Sequence, residues 1–336
     1  MIHSKLRKLH GLLQKALEVE LFTIPPYLTA LYSIEEGANR DSVEILQSVV
    51  MEEMLHATLV SNVMNAVGAA PQVKGGGGKG NPKRVNYPAQ VPHVERPLVI
   101  GLLPFSTKAV KGFVEIERPE DRTEWTMSAG VYSIGQLYDR IRNLLITVTD
   151  ELGVAQVFTG APSRQLSAKD YYGGGGALTV VTDLKAALDA IDEIAQQGEG
   201  RLHTNLTGDE VRFGQPKEVA HYYRFMEIQK GRFYDRDDDV SQPTGRRLIV
   251  DWNAVRPVGA AIQPTSPPGV KDMLKAFDKT YSELLTEIHE AFNGDRSRLT
   301  EAVPLMQRLK TQAVEIMRID VSGGKTCPPP FWFLKS

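Results

Sequence analysis

Cysteine is nearly absent from the chain, and several other features are missing altogether. Cys327 is the single cysteine among 336 residues, so an intrachain disulfide is impossible. The sequence has no secretory signal core and no apolar run long enough to span a bilayer. Its net charge is −2, and no cluster of Lys and Arg stands out. These absences predict a cytoplasmic protein with no membrane partner and no nucleic-acid partner.

The apolar residues that are present recur with helical spacing. Residues 4–36 carry leucines and isoleucines at steps of three and four, which is the stripe of a core-facing helix. A second pattern of this kind covers residues 41–68, and the short link between the two predicts an antiparallel hairpin. Similar patterns cover residues 183–198 and a stretch that begins at Pro216, a favoured first helical residue, and fades near Tyr234.

Two Glu-x-x-His motifs lie on these predicted helices. Glu53 precedes His56, and Glu218 precedes His221, at a spacing that places both side chains on one helix face. An additional glutamate precedes each motif on an earlier helical segment, Glu20 in the first half and Glu199 in the second. Four Glu and two His make up the ligand set of a ferritin-like dinuclear metal site.

The depth of these residues along the hairpin supports a shared site. Glu20 lies about 19 residues before the centre of the loop, and the first motif, Glu53 to His56, lies about 14 to 17 residues after it. At about 1.5 Å per residue, their levels therefore differ by only about 3 to 8 Å. In the second half Glu199, at the end of one helix, is expected beside Glu218. Glu193 is the alternative ligand, although it lies about 9 Å deeper along its helix.

The predicted ligands favour particular metals and particular chemistry. Carboxylates are hard donors that bridge two cations, and imidazoles complete each coordination sphere, so the set suits two Fe ions or, alternatively, two Mn ions. Tyr27 and Tyr222 are candidates to donate hydrogen bonds or electrons near the site. The alternative is that each is a core residue with a satisfied hydroxyl. Arg140, Arg142 and Arg224 are candidates to pair with an acidic substrate.

Two prolines interrupt the backbone of the first predicted helix. Pro25 and Pro26 follow Glu20 and remove two backbone donors, so we expect a bend one turn past the ligand. Such a bend either opens a path to the metals or accommodates packing.

The region between the two helical pairs, residues 69–182, is too long for a simple loop. Its glycine tract at 75–78 lacks the Gly-Lys-Ser/Thr ending of a phosphate loop and is interpreted as a connector. Within residues 69–182, helices are predicted at 108–115 and 133–151. We expect residues 1–235 to form the metal-binding bundle with this insert as a cover over the site. Residues 236–336, with helices at 270–292 and 297–318, are expected to pack on the bundle.

Longer stretches of the sequence resemble a known family. The stretches are LEVELFTIPPYLTALYSI, EEMLHATLVSNVMNAVGAAP, YSIGQLYDRI, VTDLKAALDAIDEIAQQGEG, HYYRFMEI and DWNAVRPV. In this order they resemble the ferritin-like family that includes the iminophenyl-pyruvate dimer synthases of violacein-type pigment biosynthesis. The resemblance implies that Glu20, Glu53, His56, Glu199 and His221 are site positions, with Glu218 completing the second Glu-x-x-His motif. The pigment enzyme embeds this module in a much larger chain, so the fold carries over better than the substrate.

These observations predict a mainly all-α protein with a ferritin-like four-helix bundle, a long crossover insert and a helical C-terminal extension. The favoured function is a di-iron or di-manganese oxidase or oxygenase that uses O₂ and a small aromatic or amino-acid-derived substrate. One alternative is a metal-binding, iron-handling protein without an organic substrate, and another is a bundle that serves as a scaffold. Assembly into a homo-oligomer is left open.

Overall fold

Helices account for most of the described chain. In a computed structural model, the described residues are 2–74, 85–119, 133–171, 176–198, 211–212, 215–216, 219–235, 238–239, 241–259 and 266–334. The helices are α1 (Ile2–Ser33), α2 (Arg40–Ala66), α3 (Thr107–Ile116), α4 (Ile134–Leu152), α5 (Val154–Val157), α6 (Leu184–Gly198), α7 (His221–Lys230), α8 (Val270–Phe292) and α9 (Arg298–Ile316), with a 3₁₀ turn at Pro162–Arg164. The prediction of a mainly helical protein is confirmed.

The short strands form two antiparallel pairs. Strand β1 (Ala89–Gln90) pairs with β2 (Val99–Ile100), and Ala89 lies opposite Ile100. Strand β3 (Val211–Arg212) pairs with β4 (Gln215–Pro216), and Val211 lies opposite Pro216. The helix predicted to begin at Pro216 therefore begins at His221 instead, because Pro216 belongs to a hairpin. The first Glu-x-x-His motif is helical throughout. In the second motif, His221 is the first residue of α7, and Glu218 lies outside the described residues.

Four helices pack in a ring around the main core. Helix α1 packs along α2, α2 along α6, α6 along α4, and α4 back along α1. The stripe of leucines predicted for α1 faces this core, and Leu9, Leu13 and Leu17 are fully buried. Helix α4 lies within the predicted insert, so part of that insert is a wall of the ring. Helix α3 packs on α7 beside it.

The caps of the insert helices follow from single serines. The Ser106 side chain accepts a hydrogen bond from the backbone N–H of Ala109 at the start of α3. Ser133 does the same for Gln136 at the start of α4. Each cap satisfies one of the backbone donors that a helix N-terminus leaves without an intrahelical partner. The caps therefore fix where these two helices begin beside α1.

Helix α1 continues through its two prolines because another segment supplies a missing donor. Pro26 has no N–H to donate to the carbonyl of Phe22, four residues earlier. The Tyr87 hydroxyl donates to that carbonyl oxygen at 2.6 Å, and the Tyr87 and Phe22 rings lie 5.2 Å apart. Both prolines are buried. The segment after α2 thus stabilises the helix that carries Glu20.

The C-terminal residues contact the first hairpin through two helices and through the segment before them. Helix α8 packs on α2, and α9 packs on α1. In the segment before them, the Arg256 backbone N–H donates to Ser33 O at 2.8 Å, and its Nη1 donates to Tyr32 O at 3.0 Å and Ile34 O at 2.7 Å. Arg256 therefore satisfies carbonyls that the C-terminus of α1 leaves without helical partners.

Candidate metal centre

Five buried side chains form two overlapping groups of possible metal ligands. One group is Glu20, Glu53 and His56, and the other is Glu53, Glu117 and His221. Within each group, one ligand atom per residue lies within 4.8 Å of the others. All five residues are at most 5% exposed. Glu53 belongs to both groups, which is the arrangement expected of a carboxylate that bridges two cations.

Four separate elements supply these ligands. Glu20 is on α1, Glu53 and His56 face the same side of α2, Glu117 directly follows α3, and His221 is the first residue of α7. His56 Nδ1 lies 3.3 Å from Glu20 Oε2, and His221 Nδ1 lies 2.9 Å from Glu53 Oε1 and 3.9 Å from Glu117 Oε2. The two imidazoles are nearly parallel, with ring centroids 5.3 Å apart. The ligand atoms therefore converge on one small region.

Hydrogen bonds behind each imidazole orient its ring. His56 Nε2 lies 2.8 Å from Gln197 Oε1, and Gln197 Nε2 donates to Glu193 Oε1 at 2.9 Å. Because Gln197 uses its nitrogen on Glu193, its oxygen accepts from His56. His221 Nε2 lies 2.7 Å from Glu52 Oε2 and donates to that carboxylate. The hydrogen-bond network thus assigns the proton to Nε2 in both rings and leaves each Nδ1 lone pair toward the ligand cluster.

One ligand atom has a contact but no hydrogen bond. His221 Nδ1 is buried and has no hydrogen-bond partner within the described structure, although Glu53 Oε1 is 2.9 Å away. A nitrogen lone pair and a carboxylate oxygen at this distance repel each other unless a cation or a proton lies between them. The donor set of carboxylate oxygens and imidazole nitrogens fits iron or manganese. The residues present therefore fit the metal pair predicted from the sequence.

A buried ion pair stands behind His221. Arg224 Nη1 and Nη2 lie 3.1 and 3.0 Å from the two oxygens of Glu52, which is fully buried. Arg224 also donates to Ser48 Oγ at 2.9 Å and to Val219 O at 2.6 Å. Its donors are thereby used to hold Glu52, rather than being directed at a substrate acid as predicted.

The other two arginines proposed for a substrate acid have different standings. The Arg142 guanidinium is paired with Asp192, with Nε and Oδ1 3.0 Å apart. Arg140 lies on the same helix and remains a sequence prediction.

Hydroxyl groups donate to each of the three carboxylates. Thr23 Oγ1 donates to Glu53 Oε2 at 2.5 Å, and the Tyr27 hydroxyl donates to Glu117 Oε1 at 2.5 Å. The Tyr138 hydroxyl, from α4, donates to Glu20. Tyr27 was a candidate from the sequence, whereas Tyr138 was missed. Tyr222 instead packs edge-on against Tyr223, with ring centroids 5.0 Å apart, where a small cluster of buried residues meets the main core.

Burial of these acids without a cation changes their proton affinity. Burial, together with the charge of Glu20, raises the pKa of Glu53 well above its ordinary value. Burial and then the charge of Glu53 raise the pKa of Glu117 to about 8. Burial opposes protonation of His56, but the Glu20 carboxylate reverses this and raises its pKa. Metal cations in the cluster would remove the same electrostatic repulsion that these protons relieve.

The structure brings together four of the six ligands predicted from the sequence. Glu20, Glu53, His56 and His221 meet in the cluster. Glu199 and Glu218 lie outside the described residues, so their roles remain predictions. Glu193, the alternative to Glu199, contacts Gln197 and belongs to neither ligand group within the described chain.

Glu117 was missed, although the sequence contained a signal for it. It follows Val110 by seven residues and Phe113 by four, so it continues the buried stripe of α3. A carboxylate in a core-facing position of a short helix indicates a ligand or a buried ion pair.

A small cavity adjoins the cluster. Its volume is about 20 Å³, and its lining includes Glu20, Glu53, Tyr138, Gly135 and Gly198. A volume of this size accommodates about one water molecule. It lies where the start of α4 meets the end of α6.

Comparison with known proteins agrees with the helical fold. Residues 13–230 match the family described as Ferritin-like, and the chain therefore belongs to the ferritin-like family. Among curated proteins it is 25% identical over 317 residues to a dichlorochromopyrrolate synthase from Lentzea aerocolonigenes. That match covers 85% of this chain but only 29% of the relative, so the chain spans less than a third of that protein's length.

A solved structure supports the same fold. The crystal structure of a ferritin-like protein from Caulobacter vibrioides superposes with a TM-score of 0.64 at 23% identity. The match covers 96% of this chain and 97% of that one. The predicted ferritin-like fold is confirmed. Among the described helices, none combines the length and apolarity required to traverse a bilayer.

Proposed function

We propose that the chain is a di-metal enzyme that uses O₂ to oxidise a small aromatic or amino-acid-derived metabolite. The observation that carries the proposal is the position of Glu53, which belongs to both ligand groups. A site that held one ion would not require two sets of three ligands with a common carboxylate. The proposed ions are two Fe, with Mn as the alternative.

The roles of the residues follow from their contacts. Glu20, Glu53 and His56 would hold one ion, and Glu53, Glu117 and His221 the other. When bound, a di-iron pair supplies the electrons that reduce O₂. The chain orients both imidazoles through Gln197 and Glu52, and it directs the hydroxyls of Tyr27 and Tyr138 at two of the carboxylates. Burial of the whole cluster excludes bulk water from the reaction.

The class of substrate rests on likeness to other proteins. The curated relative is named as a synthase of dichlorochromopyrrolate. The longer sequence stretches quoted above resemble those of the iminophenyl-pyruvate dimer synthases. Both likenesses favour a biosynthetic oxidation of an amino-acid-derived compound over storage of iron. The junction of α4 and α6 is the proposed side of approach, because Gly135 and Gly198 border the small cavity there.

The first test is metal content. Purified protein loaded with Fe(II) or Mn(II) should retain two ions per chain. The double variant Glu53→Ala/His56→Ala should lose most of them, because it removes the common carboxylate and one imidazole. His289→Ala is a matched control, since this imidazole lies on α8 outside the cluster. Two ions retained by the double variant would contradict the site assignment.

The second test separates an oxidase from an iron-handling protein. Anaerobic protein loaded with Fe(II) should consume O₂ faster when the right compound is present, in a screen of amino acids, their imines and aromatic acids. The His221→Ala protein is the control and should show no such acceleration. The water-sized cavity favours the alternative, because Fe(II) and O₂ need no larger space. Uptake that scales with Fe(II) and that no compound alters would support iron handling instead.

A further inference from the structure

A second cavity lies on the opposite side of the first hairpin from the metal centre. Residues of α1, α2, α8, α9 and the C-terminal segment line it, and its volume is about 440 Å³. Its lining is predominantly aliphatic and includes Leu28, Met54, Leu285, Met306 and Phe331. Cavities that bind small molecules commonly measure about 300 to 1,000 Å³ and are mostly apolar. The volume and the lining both suit an apolar ligand.

The cavity is separate from the candidate metal centre. Leu21 directly follows the ligand Glu20, and Met54 directly follows Glu53. Consecutive residues of a helix point about 100° apart, so these neighbours face different sides of α1 and α2. None of the five candidate ligands lines the cavity. A molecule bound there would contact the backs of the helices that carry the ligands.

One end of the apolar cavity carries a cation. It adjoins a more polar cavity of about 660 Å³, and the residues common to the two are Leu31, Tyr32, Gln47, Gln307 and Lys310. This common set contains one cation and no acid. Lys310 is exposed and forms no ion pair within the described part of the chain. Glu35, Glu36 and Glu315 line only the polar cavity, so the junction favours an anion over a cation.

The far wall is built by a residue in a conformation that requires support. Phe331 has φ of 51°, in the left-handed region that a bulky side chain rarely adopts. Its ring packs edge-on against Tyr281, with centroids 5.3 Å apart. The next residues are held on α8, because Trp332 N–H donates to Asp278 Oδ1 at 2.7 Å and Leu334 N–H donates to Ser282 Oγ at 2.7 Å. These contacts keep the Phe331 ring on the cavity.

A polar group on the lining completes the chemistry. Tyr281 lines the cavity, and its hydroxyl makes no hydrogen bond to any described residue. A hydroxyl in an apolar wall is costly unless it meets a partner. Water or a polar atom of a ligand would satisfy it.

We propose that this cavity binds a linear aliphatic carboxylic acid, with its hydrocarbon chain among the leucines and methionines and its carboxylate at Lys310. The aliphatic lining selects the body of the ligand, and the single cation at the junction selects its head. The proposal does not depend on the function of the metal centre, because the two sites share no residue.

The test uses dodecanoate, with displacement of 11-(dansylamino)undecanoate as the fluorescence readout. Dodecanoate should displace the probe, and dodecyltrimethylammonium should not. Lys310→Glu should weaken dodecanoate by about tenfold, the effect of losing one charge-assisted contact, and should leave dodecanol unchanged. Leu28→Trp should weaken both by filling the cavity. Arg308→Glu is the matched control, because this exposed arginine lies on the same helix outside the lining.

Three results would overturn the proposal. The first is displacement by the ammonium compound as strong as by dodecanoate. The second is dodecanoate affinity unchanged in both Lys310→Glu and Leu28→Trp. The third is a dimer, measured by light scattering, that Leu28→Trp converts to a monomer, since the cavity would then be covered by a second copy of the chain. Metal content measured on Leu28→Trp should equal that of the unaltered protein.

Discussion

At the scale of single residues, the orientation of the histidines depends on groups that are not themselves candidate ligands. Glu52 adjoins the candidate ligand Glu53 in sequence but points to Nε2 of His221 and to Arg224. Groups in such positions fix the tautomer of a metal-binding imidazole and increase its basicity. Glu52 is therefore expected to affect metal binding without contacting a metal.

Replacement of Glu52 tests this role. Glu52→Gln preserves shape but removes the charge that stabilises the His221 N–H, so the affinity for Fe(II) or Mn(II) should fall by about 10-fold to 100-fold. Isothermal titration calorimetry on the anaerobic protein measures this change. Glu44→Gln is the control, because Glu44 is an exposed residue of α2 that pairs with Arg40.

The fold must be monitored in the same experiment. Loss of the Glu52 charge leaves the buried Arg224 guanidinium without a paired carboxylate, and breaking such a buried ion pair costs about 3 to 5 kcal/mol. Circular dichroism should establish that the variant is folded before titration. A folded Glu52→Gln protein with unchanged metal affinity would refute the orienting role.

At the scale of elements, α1 depends on a hydroxyl from another segment. The Tyr87 hydroxyl satisfies the Phe22 carbonyl that Pro26 leaves without its helical donor. Tyr87→Phe should lower the free energy of unfolding by about 1 to 3 kcal/mol, the cost of an unsatisfied buried group. Urea denaturation measures the change.

A second substitution makes that test specific. Pro26→Ala restores a backbone N–H within reach of Phe22 O, so Tyr87→Phe should cost less in the Pro26→Ala background than in the unaltered protein. The difference between the two costs isolates the hydrogen bond from the packing of the ring. Equal costs in both backgrounds would show that the hydroxyl does not replace the missing donor.

The sequence predicted elements better than their arrangement. The apolar stripe predicted a helix over residues 270–292, and α8 has these bounds. Periodicity identifies which face of a helix is buried but not which helix covers it. For this reason the apolar stripe at 133–151 predicts a helix within the insert but does not predict that this helix, α4, forms part of the ring. Pro216 predicts a helix start because its fixed φ suits that position, but the same φ also suits the hairpin that Pro216 occupies.

Within the candidate site, too, some residues were predictable from the sequence and one was not. Glu20, Glu53 and His56 were predictable because two helices joined by a short loop have fixed relative depth. Glu117 was not, since a connection of unpredicted path separates it from α2. Its place on the buried stripe of α3 distinguishes it from Glu115, which is only partly buried and pairs with Arg118, but no spacing rule links it to the two Glu-x-x-His motifs.

At the scale of the whole molecule, the C-terminal residues stabilise the first hairpin. Arg256 donates to three carbonyls at the end of α1, and Asn39 exchanges two hydrogen bonds with the backbone of Asp251. Arg256→Met retains the backbone N–H but removes the two guanidinium bonds. We expect it to lower the free energy of unfolding by about 1 to 3 kcal/mol.

Hydrogen exchange locates this effect. Amide protection in residues 32–40 should fall in Arg256→Met, because opening of the hairpin end becomes easier there. Arg318→Met is the control, since Arg318 is exposed and lines the same polar cavity. Equal stability and protection in the two variants would show that Arg256 does not hold the hairpin.

The order of the candidate ligands along the chain has a consequence during synthesis. Glu20, Glu53 and His56 all leave the ribosome early, whereas His221 follows His56 by about 165 residues. At about 5 to 20 residues per second, the interval is roughly 10 to 30 s. For that time the nascent chain carries one complete group of three ligands and cannot yet form the other. One of the two proposed ion positions would therefore have all of its candidate ligands before the other is complete.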